Sequence, residues 1–145
     1  MINCKQFKRD LSFSSLHLDL VPVGEDICAV LYGGEKPHIG CTVLAVPRPS
    51  LKGDGSMSCT SSVINLTGHK DEQICRYAAE ELCRKHQVSV TCTGGFHVDG
   101  ITKEQLSELM RALDDILCQG DGSLSPFKSR TSVTTALLPS SPVSP

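Results

Sequence analysis

Three short segments of this chain combine glycine with histidine: Gly33-Gly34-Glu35-Lys36-Pro37-His38-Ile39-Gly40, Gly68-His69-Lys70 and Gly94-Gly95-Phe96-His97-Val98-Asp99-Gly100. Imidazole exchanges protons and hydrogen bonds near neutral pH, and glycine lets backbone N–H groups come close to a ligand. Three of the five histidines fall in these segments. The combination points to one composite pocket built from loop ends. Gly68, His69 and Lys70 stand at the start of a predicted helix, where unpaired N–H groups and the helix dipole favour a phosphate or carboxylate. His97 and Asp99 suit an imidazole oriented by a carboxylate, and equally a turn held by its own hydrogen bond. His38 reads either as a site residue or as an exposed residue of a bend set by Gly33, Gly34 and Pro37.

Signatures of known catalytic machinery are absent. There is no G-x-S-x-G, H-E-x-x-H or G-x-G-x-x-G, and no deaminase pair of H-x-E with P-C-x-x-C. A Ser125-x-x-Lys128 match lies in a polar tail and carries no weight. The separations of His38, His69, His97 and Asp99 give no metal-ligand spacing. A small enzyme using His97 and Asp99 as an acid/base pair stays open as an alternative.

The elements that must position these residues follow from periodicity. Leu16, Leu18 and Leu20 alternate with His17 and Asp19, predicting a half-buried strand over 11–21 that Pro22 and Gly24 break. Asp26 to Tyr32 is a continuous apolar run suited to a central strand, stopped by Gly33 and Gly34. Ile39 to Val46 predicts a third strand ended by Pro47 and Pro49, and Ser56 to Leu66 a fourth, after a loop with Gly53-Asp54-Gly55 at its tip. With no helix-length crossover between them, these four suit an antiparallel meander.

A helix is predicted from Lys70 to Gln87, with Ile74, Cys75, Ala78, Ala79 and Leu82 as its apolar stripe. A strand follows over Val88–Thr93, stopped by Gly94 and Gly95. A second helix opens at Thr102, where Thr102 and Gln105 make a capping box, and Gly120 and Gly122 end it. The expected fold is α+β: a mixed, mostly antiparallel sheet of five or six strands flanked by two amphipathic helices. Residues 1–120 form the domain, and the Ser/Thr/Pro-rich stretch 121–145 reads as a mobile tail.

Bulk properties narrow the partners. At 145 residues the chain is long enough for one domain with a real core. A formal charge of −2, with two Tyr, four Phe and no Trp, offers neither a positive field nor stacking platforms for nucleic acid. No apolar run approaches the roughly 20 residues of a membrane span, and residues 1–10 lack a secretory apolar segment, so a cytoplasmic protein is expected. Eight cysteines include no C-x-x-C pair and fall mostly in apolar runs, where free thiols act as small core hydrophobes.

The same residues carry a resemblance. Gly33-Gly34 with Pro37-His38-Ile39-Gly40, then His69-Lys70-Asp71, then Gly95-Phe96-His97-Val98 and Ile101-Thr102-Lys103 resemble the LpdD-like family, in order and over about residues 25–115. The family is named for the small D subunit encoded with gallate decarboxylase. The resemblance implies an accessory protein: a prenylated-flavin chaperone for decarboxylases of the UbiD type, commonly dimeric, with a fold like that of the proteasome assembly chaperones. Members are sometimes labelled amino acid decarboxylases, but this sequence has no pyridoxal-phosphate lysine motif. Phe96 stands where the family leads one to expect a smaller aliphatic residue, and the 48–62 region and the tail look peculiar to this chain.

On that reading the cofactor is prenylated flavin mononucleotide or flavin mononucleotide itself. Gly68 and Lys70 hold its phosphate, while His38, His69, His97 and Asp99 meet ribityl hydroxyls or the ring edge. Gly33, Gly34 and Gly40 complete the cofactor-binding set. The partners implied are a UbiD-type decarboxylase catalytic subunit and a second copy of the chain. A ligand-free homodimeric assembly chaperone, with the Gly/His turns as subunit contacts, is the other alternative.

Overall fold

A computed structural model of the chain describes residues 3–66 and 71–123. The order of elements is β1 (Lys5–Asp10), β2 (Ser15–Val23), β3 (Asp26–Gly34), β4 (Cys41–Pro49), β5 (Met57–Asn65), α1 (Glu72–His86), β6 (Val90–His97) and α2 (Lys103–Ser123). The six strands form one sheet in the order β1-β2-β3-β6-β4-β5. Neighbours are antiparallel except β3 and β6, which run parallel. The α+β class and the flanking amphipathic helices are as expected.

The simple meander is not. β1–β2–β3 is a meander, but β6 enters between β3 and β4 and separates them. The reason is burial. Val90 and Cys92 add a fully buried row that Ile27 and Ala29 on one side and Val43 and Ala45 on the other enclose. A β3–β4 hairpin would leave that apolar strand without neighbours. β1 carries Lys5, Lys8, Arg9 and Asp10 and has no strong apolar alternation, so the periodicity reading passes over it.

Three strand ends also differ from expectation. β2 runs through Pro22, which pairs with Ile27, and its hairpin turns at Gly24 with φ +62°. β4 continues through Pro47 to Pro49, paired with β5. Its pairing with β6 stops at Ala45, so both prolines lie where the β6 side of the strand no longer has a ladder to break. β6 runs on through Gly94 and Gly95 to His97, because β3 offers a parallel partner as far as Gly34. α2 likewise runs past Gly120 and Gly122 to Ser123.

Both helices join one core. Leu16, Leu18 and Leu20 of β2 and the buried row just described meet Ala78, Ala79 and Leu82 of α1 and Leu109, Leu113 and Ile116 of α2. α1 packs on β4, β5 and β6, α2 on β1 and β2, and the helices touch each other. Among the described residues no helix covers the opposite face of the sheet, where Leu44 and Val46 are each 43% exposed and Ile64 76%. Thr102 and Gln105 form the expected reciprocal cap of α2, with Thr102 N–H to Oε1 at 2.9 Å and Gln105 N–H to Oγ1 at 3.1 Å. The tail 124–145 lies outside the described residues.

Cys41, Cys75, Cys83 and Cys92 are buried and Cys28 and Cys59 half-buried, as core thiols should be, whereas Cys4 and Cys118 are exposed rather than core. Burial pushes the Cys41 thiol up to about 12 and the Cys83 thiol up to about 11. An aromatic disulfide reagent at pH 8 will therefore titrate Cys4 and Cys118 quickly in the folded protein, and Cys41, Cys75, Cys83 and Cys92 only on unfolding. Rapid native-state reaction of those four would contradict this packing. Leu113→Ala, which empties a fully buried site between α2 and the sheet, should cost about 2–5 kcal/mol in chemical denaturation.

Candidate functional site

The parallel pair decides which residues meet. In its register Leu31 faces Gly94, Tyr32 faces Gly95, Gly33 faces Phe96 and Gly34 faces His97. The two Gly-Gly segments, 61 positions apart in the chain's numbering, thus abut at the carboxyl ends of the two parallel strands. In open α/β sheets that end is where ligands are commonly bound. Gly34 has φ +80°, and a Cβ on it would strike the backbone of His97, so only glycine fits there. The 35–40 connection then leaves β3 and is tied at both ends: Glu35 N–H donates to the His97 carbonyl and Gly40 N–H to the Gly94 carbonyl, each at 2.8 Å.

His38, midway along that connection, lies over Gly95. A Cβ on Gly95 would come within 2.7 Å of His38 Nε2. The ring is held between two oxygens, the Lys36 carbonyl 2.8 Å from Nδ1 and Asp71 Oδ2 2.9 Å from Nε2. The hydrogen bond to Lys36 and the Asp71 carboxylate raise the His38 pKa above the ordinary histidine value against the opposing effect of burial. The His38 and His97 rings meet edge to face with centroids 6.3 Å apart. His97 Nε2 is 2.8 Å from Asp99 Oδ1, and both side chains are substantially exposed. That bond, reinforced by the nearby Lys36 charge, holds Asp99 below the usual carboxylate range.

In the sequence Asp71 stands out only as the last residue of the His69-Lys70-Asp71 segment. It is 6% exposed, and its side chain makes no capping bond to its own helix. Instead Oδ1 accepts the buried Phe96 N–H at 2.8 Å while Oδ2 meets His38. β4 begins only at Cys41, so Asp71 takes up a β6 donor just past the point where that strand pairing starts. Gly40 leaves it room, since a Cβ there would collide with Asp71 Oδ2. The one available signal was the pairing of this acid with the Gly-His segment before it. Phe96 itself is buried and packs edge to face on Phe13, with centroids 6.2 Å apart.

Of the residues singled out in sequence, Gly33, Gly34, His38, Gly40, His97 and Asp99 thus come together around Asp71 at one end of the sheet. Gly68, His69 and Lys70 lie outside the described residues. Among the described residues no group of three or more His, Cys, Asp and Glu side chains is placed to hold a metal ion, and no helix is long and apolar enough to cross a membrane. Chemically the described residues offer imidazole donors, with carboxylates fixing the imidazoles.

Gly34→Ala should cost about 2 kcal/mol or more, since it meets both a positive φ and a backbone collision. Gly24→Ala, at φ +62° with open space around it, should cost only the conformational part, about 1–2 kcal/mol. Equal losses for the two in urea denaturation would deny the close approach of β3 to β6 at Gly34.

Residues 12–123 match the prenylated flavin chaperone LpdD-like domain. Protein LpdD of Lactiplantibacillus plantarum is 33% identical over 102 residues, which cover 65% of this chain and 65% of that protein; the match thus spans just under two thirds of the relative's length. The backbone is similar to a chain in the crystal structure of a chaperone complex for yeast 20S proteasome assembly, with a TM-score of 0.52 over 83% of this chain and 98% of that one. At 15% identity that likeness is one of fold. The family match covers most of the chain's length, and the conclusion is direct: the chain belongs to the prenylated flavin chaperone LpdD-like family.

Proposed function

We propose that this chain binds prenylated flavin mononucleotide, or flavin mononucleotide, at the Gly/His end of its sheet and delivers it to the catalytic subunit of a UbiD-type decarboxylase in the cytoplasm. The observation that carries the reading is the convergence of the glycine-ended strands β3 and β6, the 35–40 connection and the start of α1 on one spot. The residues present fit the group. A flavin nucleotide presents an anionic phosphate and a chain of hydroxyls, and this end of the sheet presents imidazoles, the lysine Lys36 and the N-terminus of α1. Glycines at 33, 34 and 40 let β3, β6 and the start of α1 close up around this end, and His97 with Asp99 supplies an oriented imidazole for a hydroxyl or ring edge.

The cofactor set is Gly33, Gly34, His38, Gly40, Gly68, His69, Lys70, His97 and Asp99. Gly68 and Lys70 take the phosphate beside the N-terminus of α1. The flavin, when bound, is the reactive group destined for the decarboxylase; this chain's residues bind and shield it. The functional unit is the domain expected over 1–120, which α2 carries on to Ser123.

A homodimer accompanies this reading. The helix-free face of the sheet, with Leu44, Val46 and Ile64 exposed, is the surface that a second copy would cover. The same face supports the second reading, a ligand-free assembly chaperone that uses the Gly/His turns for subunit contact.

Anaerobic titration of the purified protein with reduced prenylated flavin mononucleotide, with plain flavin mononucleotide alongside, separates the two. Under the first reading binding is tight, and both His97→Ala and the double variant His69→Ala with Lys70→Ala weaken it about tenfold or more. No binding of either flavin by the wild-type protein would discard that reading and leave the protein-only role.

A further inference from the structure

The 35–40 connection is tied to β6 by backbone bonds at Glu35 and Gly40, and between those points the His38 side chain makes its link to α1. Both ring nitrogens of His38 face oxygens that accept. The Lys36 carbonyl has no proton to give, and the Asp71 carboxylate already takes the Phe96 N–H on its other oxygen. A neutral imidazole carries one N–H and satisfies one of these contacts; an imidazolium satisfies both. Asp71 is buried at 6% and His38 at 22% exposure, so a mismatch there would not be relieved cheaply by water.

The surroundings agree with the charged form. Among the described residues, the titratable and charged groups about the ring are Asp71 from the start of α1, His97 from the end of β6, Asp99 beyond it and Lys36 within the connection. Of these Asp71 is in direct contact, and His97 is turned edge to face and bonded to Asp99. With its nitrogens engaged on protein oxygens, His38 differs from His97, which is 44% exposed and has only Nε2 bonded to a side chain.

We propose that Asp71 and His38 are positioning residues: an imidazolium–carboxylate pair that fastens the middle of the 35–40 connection over Gly95 and aims His97 at the ligand. Of the two neighbouring histidines in the cofactor set, His38 then serves by holding the connection and His97 by meeting the ligand's polar atoms. This rests on the flavin-binding reading for the identity of the ligand, but the pair itself is testable without one. It also separates two carboxylate–imidazole pairs of similar geometry by role. The buried pair holds the loop, and the exposed pair meets solvent or ligand.

Asp71→Asn tests the charge without emptying the site. The amide oxygen still accepts from Phe96 N–H, and the amide nitrogen donates to His38 Nε2, which then has to be unprotonated. Asp71→Ala removes both contacts, and His38→Gln serves as a second variant should the alanine protein fail to fold. Nitrogen-15 NMR of the imidazole rings reads protonation, and amide hydrogen exchange over residues 35–40 reads the fastening. In the wild-type protein His38 should be doubly protonated at a pH where His97→Ala leaves it unchanged. In Asp71→Asn it should become the singly protonated Nδ1–H form at neutral pH.

Exchange at 35–40 should rise about tenfold or more in Asp71→Ala and His38→Gln and stay near wild type in Asp71→Asn. Because the folded-state pKa of His38 is raised, the pair's contribution to stability is full below the unfolded histidine value and is lost as pH rises through the folded one; Asp71→Asn should flatten that slope. Affinity for reduced prenylated flavin mononucleotide should fall about tenfold in Asp71→Ala and recover in Asp71→Asn. A neutral wild-type His38 at pH 6, or wild-type exchange in both Asp71→Ala and His38→Gln, overturns the proposal. So does tight flavin binding that neither of those variants alters. Absence of flavin binding by the wild type together with the expected NMR and exchange signatures overturns the flavin reading and supports the pair.

Discussion

The functional end of this molecule depends on one pairing, the parallel docking of β6 beside β3. The remaining pairings of the sheet are antiparallel, and none of them would bring Gly33-Gly34 against Gly94-Gly95-Phe96-His97. A parallel neighbour demands a crossover, and α1 supplies it, starting at the site end of the sheet and returning the chain to the far end of β6. The crossover is anchored by burial: Ile74, Cys75, Ala78, Ala79, Leu82 and Cys83 lie against the sheet with at most 7% exposure. Core packing of α1 and the geometry of the site are therefore one constraint.

Within that frame a single carboxylate joins three elements. Asp71 belongs to the start of α1, accepts a backbone donor of β6 and meets a side chain from the β3–β4 connection. A residue so placed would ordinarily cap its own helix. Here that bond is forgone, and the buried Phe96 N–H is satisfied instead, which is the more costly of the two donors to orphan because water does not reach it. Glycines at 40 and 95 are the other half of the arrangement: the space a side chain would fill is occupied by Asp71 and the His38 ring.

Much of the fold was legible from periodicity. The alternation of Leu16, Leu18 and Leu20, the stripe of α1 and the Thr102–Gln105 cap each encode local structure through interactions only a few residues apart. Prolines and glycines misled where they were read as stops. Pro22, Pro47, Gly94 and Gly95 all lie within strands, because whether a residue breaks a strand depends on which of its sides carries a ladder, a fact of the assembled sheet. β1 escaped notice since its charged residues obscure any apolar alternation and its pairing with β2 alone makes it a strand.

The sequence by itself determined the class of fold, the two helices, the apolar faces and the composition of the site: glycines for close approach, histidines and acids for polar contact. These are local properties, carried by residue chemistry and by repeats of two and of 3.6 residues. The tertiary structure alone decided that β6 separates β3 from β4, that His38 and His97 become neighbours, and that Asp71 turns away from its own helix to hold them. Those outcomes rest on contacts between residues 25 to 63 positions apart, and their free energy comes from burying apolar rows and satisfying a buried donor jointly. No window of the chain contains both partners of such a contact, so its physics is written only in the folded molecule.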